Sequence, residues 1–215
     1  MGVELRRRVE GHAPGGHSRL DVSAFLMNYT NLQVQTPIGP GIFDIRNAAS
    51  ATIRGVEVET TSRLGHGIVA GGHLAWLDAT YDQYIAVNNF NVTGDVAGNR
   101  LNNAQEWAGR LWIEWTGDVG RSRRLSLSAE STAQSTVFFT PFNDSIQRQG
   151  PYGLLGARIE YGPSHRRWTI GAYVRNLTNT DYVTATFGTS PAVFGGRPGP
   201  SRQFAIDFTV NTARL

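Results

Sequence analysis

The sequence predicts an all-β fold, an antiparallel up-and-down meander of about nine strands that forms part of a transmembrane β-barrel wall. Three observations predict it. Apolar and polar residues alternate with a period of two along most of the chain, which is the pattern of strands with one apolar face. Tight turns alternate with long connections, the layout of barrels with short periplasmic turns and long extracellular loops. Helix-period patterns are missing, and no run of 18 apolar residues occurs. That excludes a membrane-spanning helix but not a barrel, whose wall is apolar only at every second residue.

The alternating segments lie near residues 3–10, 19–35, 51–64, 67–84, 104–116, 123–139, 153–161, 168–176 and 202–210. In the second, Leu20, Val22, Ala24 and Leu26 oppose Asp21 and Ser23. In the third, Glu57 and Glu59 share one face, expected to point into the lumen. Both faces of 67–84 are mixed, so its inside and outside stay unassigned. Trp107, Leu111, Ile113 and Trp115 oppose Glu106, Arg110 and Glu114, and Leu125, Leu127 and Ala129 oppose Arg124, Ser126, Ser128 and Glu130. Trp168, Ile170, Ala172 and Val174 oppose Thr169, Gly171, Tyr173 and Arg175; Phe204, Ile206 and Phe208 oppose Gln203, Ala205 and Asp207. Charge on one face with Leu, Val and Trp on the other suits a wet lumen and a lipid-facing wall. Tight connections fall at 11–17, 65–66, 117–120 and 162–165, and long ones at 36–47, 85–103, 140–150 and 177–201.

Composition narrows the function classes. All 20 basic residues are Arg, but a net charge of +3 scattered along the chain does not point to nucleic acid. The runs Arg6–Arg8 and Arg123-Arg124 read as barrel ends or lumen charge. With no cysteine, disulfides and thiolate-bound metal are excluded. The basic N-terminus is followed by no apolar core, so no export signal precedes residue 3, and a barrel chain of this kind is expected to be a fragment.

No catalytic chemistry stands out, and the chain is not expected to be an enzyme or to carry a cofactor. The histidines His12, His17, His66, His73 and His165 lack metal-ligand spacing. Asp78 and Asp82 with Glu57 and Glu59 could pair as acid and base, yet the alternation of the glutamates favours a lumen face. No nucleophile elbow or phosphate loop is present, and no helix follows the Gly-rich run at 195–199 to make it a phosphate cradle. Ligands are met on loops, and the loop aromatics Tyr84, Phe90, Phe138, Phe139, Phe142, Phe187 and Phe194 are the candidate binding residues.

Six stretches, in order, resemble the C-terminal barrel of TonB-dependent outer-membrane receptors. They are NAASATIRGVEVE at 47–59, AWLDATYD at 75–82, GNRLNNA at 98–104, FTPFND at 139–144 and YGLLGAR at 152–158. The sixth is the final hairpin, with YVRNLTNTDY at 173–182, GGRPGPSR at 195–202 and an aromatic last strand. The resemblance implies that residues 1–215 are the C-terminal segment of such a barrel domain, without the plug and the early strands. It implies a receptor importing a scarce nutrient, a ferric siderophore or similar, energised through a TonB-type coupling protein acting on the plug. Outer-membrane lipid would be the other partner. The family's chains usually end on the aromatic of the last strand; Phe208 fits that place, and residues 209–215 depart from the pattern. The alternatives are a self-contained porin-like or adhesin-like barrel and a soluble all-β binding module.

Overall fold

The computed structural model describes residues 3–12, 17–39, 42–88, 90–190 and 193–211, without the side chains of 3–12, 35–39, 42–44, 46, 48, 187, 189, 190 and 193. The Arg6–Arg8 side chains and the tail at 212–215 therefore lie outside the described residues. In chain order the strands are β1 (Val3–His12), β2 (Ser18–Gly39), β3 (Ile42–Gly65), β4 (Ile68–Gln83), β5 (Ile85–Val87), β6 (Thr93–Asp95), β7 (Trp107–Val119) and β8 (Arg123–Gln134). They continue with β9 (Val137–Phe138), β10 (Arg148–Gln149), β11 (Tyr152–Pro163), β12 (Trp168–Arg175), β13 (Val183–Ser190), β14 (Val193–Pro198) and β15 (Gln203–Val210).

Nine of these form one antiparallel sheet in the order β1-β2-β3-β4-β7-β8-β11-β12-β15. Every neighbour in that sheet is also the next long strand in the chain, so the expected meander is what the chain forms. The six short strands make three hairpins inside the long connections. The β3–β4 turn shows why one end is tight. His66 and Gly67 both have positive φ (50° and 78°), the type I′ geometry whose twist matches a two-residue hairpin.

Register places side chains on two faces. On one face Val22 pairs with Val58 and Val58 with Leu74, and Trp76 then pairs with Trp107. Further along, Ile113 pairs with Ala129, Leu127 with Ile159, and Ala172 with Ile206. This face is apolar from β2 to β15, and it is bare: Phe204, Ile206 and Phe208 are 72%, 77% and 64% exposed. An apolar face of this extent is stable against lipid, not against water. Trp76 and Trp107 sit towards the loop end of the band with ring centres 6.3 Å apart. Tyr161, Trp168 and Phe208 form a second aromatic group towards the turn end, with neighbouring centres 6.4 and 6.2 Å apart. Trp107 to Trp115 is about nine residues, within the roughly 9–11 that a tilted strand needs to cross a bilayer.

The other face carries the charge. Arg110 bonds Glu130 at 2.6 Å, and Arg158 reaches Glu160 at 2.7 Å and Asp207 at 2.8 Å. Gly171 makes room for the last pair, because a Cβ there would stand 2.7 Å from Arg158 Nη2 and 2.9 Å from Asp207 Oδ1. The unassigned strand is now placed: Trp76 and Leu74 face outward, His73 and Ala75 inward. Its inner face lacks polarity because Gly71 lies under the Trp112 ring, which a Cβ would meet at 2.6 Å. A strand covered by a neighbour's ring needs small residues there, not polar ones.

Several boundaries differ from expectation. The connection at 36–47 is no loop: β2 and β3 keep pairing as far as Gly39 with Ile42. The segment 123–139 ends as a wall strand at Gln134, and Val137–Phe138 pairs with Arg148–Gln149 instead. Within 177–201, β13 pairs with β14, so the Gly- and Pro-rich stretch is largely a hairpin.

Candidate functional site

The buried apolar cluster among the described residues lies at the loop end, beyond the apolar band. It comprises Val34, Ala49, Tyr81, Tyr84, Ala86 and Val96, with Leu32, Leu101 and Phe142 packed against it. β2 and β4 project past the membrane band to carry Val34, Tyr81 and Tyr84 there.

Backbone-directed polar side chains hold the loops in place. Asn88 Oδ1 accepts from the backbone N–H groups of Phe90 (2.9 Å) and Val92 (3.0 Å), an Asx-type turn that sets Phe90 at the loop's tip. Asn99 Nδ2 donates to the Pro141 carbonyl at 2.9 Å, tying the β4–β7 connection to the β8–β11 connection. Asn143 completes that tie: its Oδ1 accepts from Arg100 N (2.8 Å) and its Nδ2 donates to Arg100 O (3.0 Å). The tie lays Phe142 over Gly94, where a Cβ would meet the ring at 3.0 Å.

These elements enclose a cavity of about 440 Å³, which also reaches Thr186 of β13. Tyr84, Phe90, Phe139 and Phe142 line it together, and Phe90 meets Phe194 edge-on at 5.9 Å. Phe138 is not among the lining residues, although its carbonyl accepts from Asn103 N at 2.8 Å. The Phe187 side chain lies outside the described residues; its backbone pairs with Gly195. Sequence reasoning missed Gln33, Tyr81, Asn102, Gln147 and Thr186. The asparagines at 99, 102, 103 and 143 were the available signal, since runs of loop asparagine mark side chains that bond backbone.

The chemistry is that of binding. Tyr81 OH donates to Asn102 Oδ1 at 2.7 Å, and its ring meets Tyr84 at 5.2 Å. Burial, reinforced by Tyr84, pushes the Tyr81 hydroxyl up to about 12 against a smaller, opposing hydrogen bond from the Asn102 backbone. It is a neutral hydrogen-bonding phenol at any physiological pH. Aromatic faces with amide and hydroxyl groups can stack on rings and bond polar edges. The carboxylates Glu57, Glu59, Asp78 and Asp82 do not form a site. Register puts the two glutamates on the charged face, while Asp78 pairs with Arg54 at 2.7 Å on the opposite one.

A family model described as "TonB dependent receptor-like, beta-barrel" matches residues 9–177. No curated protein matches the chain. Among solved structures, the ferric yersiniabactin uptake receptor FyuA of Yersinia pestis is similar at 18% identity and a TM-score of 0.77, over 97% of this chain and 30% of that one. The siderophore receptor PiuA of Acinetobacter baumannii is similar at 15% identity and a TM-score of 0.73, over 96% and 28%. The ferric citrate transporter FecA is similar at 19% identity and a TM-score of 0.70, over 97% and 30%. The chain thus spans less than a third of the length of these structures.

Proposed function

Because the chain belongs to the TonB-dependent receptor-like β-barrel family, a family of outer-membrane β-barrels, we propose that it is the C-terminal part of a receptor's barrel. In this reading the receptor imports a scarce nutrient, a ferric siderophore or similar, with energy delivered through TonB to a plug that this chain does not supply. The chain contributes lipid-facing wall, polar lumen and extracellular loops, and performs no bond-making step. The observation that carries the proposal is the aromatic cavity standing at the loop end of a sheet whose outer face is apolar and whose inner face is charged. Ligand enters from the loop side, where Tyr84, Phe90, Phe139 and Phe142 receive it. The lumen ion pairs line the path beneath.

Uptake of radioactive iron by cells expressing the intact receptor tests this. We expect accumulation from at least one ferric siderophore, abolished when the energy-coupling protein is deleted. Uptake that persists without it, together with open-channel currents in planar bilayers, would instead mark a passive barrel.

A further inference from the structure

We propose that the extracellular site takes a ligand carrying no net charge, held by ring stacking and by amide and hydroxyl hydrogen bonds, and not a multiply anionic chelate. The inference rests on the receptor reading and adds the class of ligand.

Charge balance in the loops is the first observation. Each of the four loop-end segments, at 36–47 in the extended β2–β3 hairpin and at 85–103, 140–150 and 177–201, carries one Asp and one Arg: Asp44 and Arg46, Asp95 and Arg100, Asp144 and Arg148, Asp181 and Arg197. The loops therefore sum to zero and make no cationic funnel of the kind that steers anions. Two arginines adjoin the cavity's lining in sequence: Arg100 is already bonded to Glu106 at 2.7 Å, and Arg148 is exposed and is not a lining residue.

The cavity itself is the second. None of its lining residues is Asp, Glu, Arg or His. The polar groups that face it come from Asn88, Asn102, Gln33, Gln147, Thr140 and Thr186. Tyr81 adds no anion, being neutral below about 12. An anion entering such a site loses its hydration and gains no opposite charge, which is unfavourable. An uncharged, ring-bearing ligand loses far less and gains aromatic contact.

Unused hydrogen-bonding capacity is the third. The Thr140 and Thr186 hydroxyls are buried without a partner. They come from the two connections whose strands β10 and β13 meet over the cavity, where Val183 N donates to Gln149 Oε1 at 2.7 Å. A neutral ligand bearing hydroxyl or amide groups can engage both when those connections adjust around it.

The test is equilibrium binding to outer-membrane vesicles carrying the intact receptor, with two probes of matched size. One is an uncharged ferric trihydroxamate chelate and the other a trianionic ferric tricatecholate chelate. We expect the uncharged chelate to bind at least about tenfold tighter. Its Kd should change less than about twofold between roughly 50 and 500 mM salt, since no charge pair is there to screen. Gln33→Arg, which puts a cation in the exposed part of the lining, should raise affinity for the anionic chelate about fivefold or more. Tighter binding of the anionic chelate by the unmodified protein would overturn the inference and leave the receptor reading standing. So would a Kd for the uncharged chelate that weakens steeply with salt. An unchanged preference in Gln33→Arg would place the ligand elsewhere and overturn the assignment to this cavity. If neither chelate binds or enters cells, the receptor reading fails, and the inference with it.

Discussion

The wall and the loop cap of this protein solve the solvent problem in opposite ways. In the wall, between Trp107 and Trp115 on β7, the apolar side chains point outward and the ion pairs inward. In the cap, Tyr81, Tyr84, Ala86 and Val96 are buried among themselves and the polar side chains tie loop to loop. The wall has no second layer to pack against, so its backbone is satisfied strand to strand and its apolar face needs lipid. The cap stands in water and must build its own small core. One chain changes its rule of burial within β4, between the outward Trp76 and the buried Tyr81.

Reversing the polarity of the wall should have the largest effect. Leu111 stands midway between Trp107 and Trp115 on the outward apolar face and is 68% exposed. Leu111→Arg near the bilayer midplane should destabilise the barrel by about 2–4 kcal/mol. Reversible unfolding in lipid, followed by gel mobility of unboiled samples, measures it. An unchanged midpoint would mean that this face does not meet lipid. By contrast, Ser128→Arg, on the charged face of the neighbouring strand β8, should cost under about 1 kcal/mol.

Next comes the join between the two regions. Asn176, at the end of β12, is buried and adopts φ 50°. Its amide donates to the carbonyls of Thr180 (2.9 Å) and Pro200 (3.1 Å) and accepts from Thr180 N at 2.8 Å. Nearby, Asn179 Oδ1 accepts from Arg202 N at 3.0 Å. The two asparagines clasp the ends of the last extracellular connection where it leaves the wall. Asn176→Ala removes three bonds made by a buried side chain, a loss of about 2 kcal/mol. Asn176→Asp should be worse than Asn176→Ala, because it sets a carboxylate against two carbonyls. Hydrogen exchange should show the loss within 177–201 and not in β7 or β8. Loss spread evenly over the wall would show that the clasp belongs to the barrel as a whole.

That asparagine also shows what the sequence could and could not disclose. The period of two placed nearly every wall residue on its correct face, because each wall strand has one neighbour on either side and one medium on each face. The rule broke at β4, where Gly71 under Trp112 answers to a neighbouring ring and not to solvent, as Gly55 of β3 does under Phe25. It also broke beyond the band: β2 and β3 run on past the membrane, and β13 with β14 turns a Gly- and Pro-rich stretch into a hairpin. Four of the seven loop aromatics, Tyr84, Phe90, Phe139 and Phe142, line one cavity. Gln33, Tyr81 and Thr186 were not legible as its lining, because they come from β2, β4 and β13, segments far apart in the chain that meet only in the folded cap.

A smaller effect is expected for the cap's own core. Phe142 is only partly buried, so Phe142→Ala should cost about 1–2 kcal/mol, below the 3–5 of a fully buried site. The loss should appear as faster protease cleavage in 85–103 and 140–150, with the wall's gel mobility unchanged. A wall that melts with the cap would mean the two regions fold as one unit.

The smallest effect is a difference in pH response. The Tyr81 hydroxyl titrates near 12 in the folded cap against 10.0 when unfolded, chiefly because burial disfavours the phenolate and secondarily because of Tyr84. The unfolded chain therefore releases its proton first. Between pH 10 and 12 the folded state holds more protons than the unfolded one, so stability falls as pH rises across that window. Below pH 10 both states are protonated and the group contributes no slope. Protease cleavage of the loops should accelerate above pH 10, and Tyr81→Phe should flatten the rise because the ring still packs without a proton to lose. The unboiled gel band of the wall should persist through the same window. If loops and wall loosened together, or if Tyr81→Phe left the profile unchanged, the alkaline sensitivity would reside outside the cap.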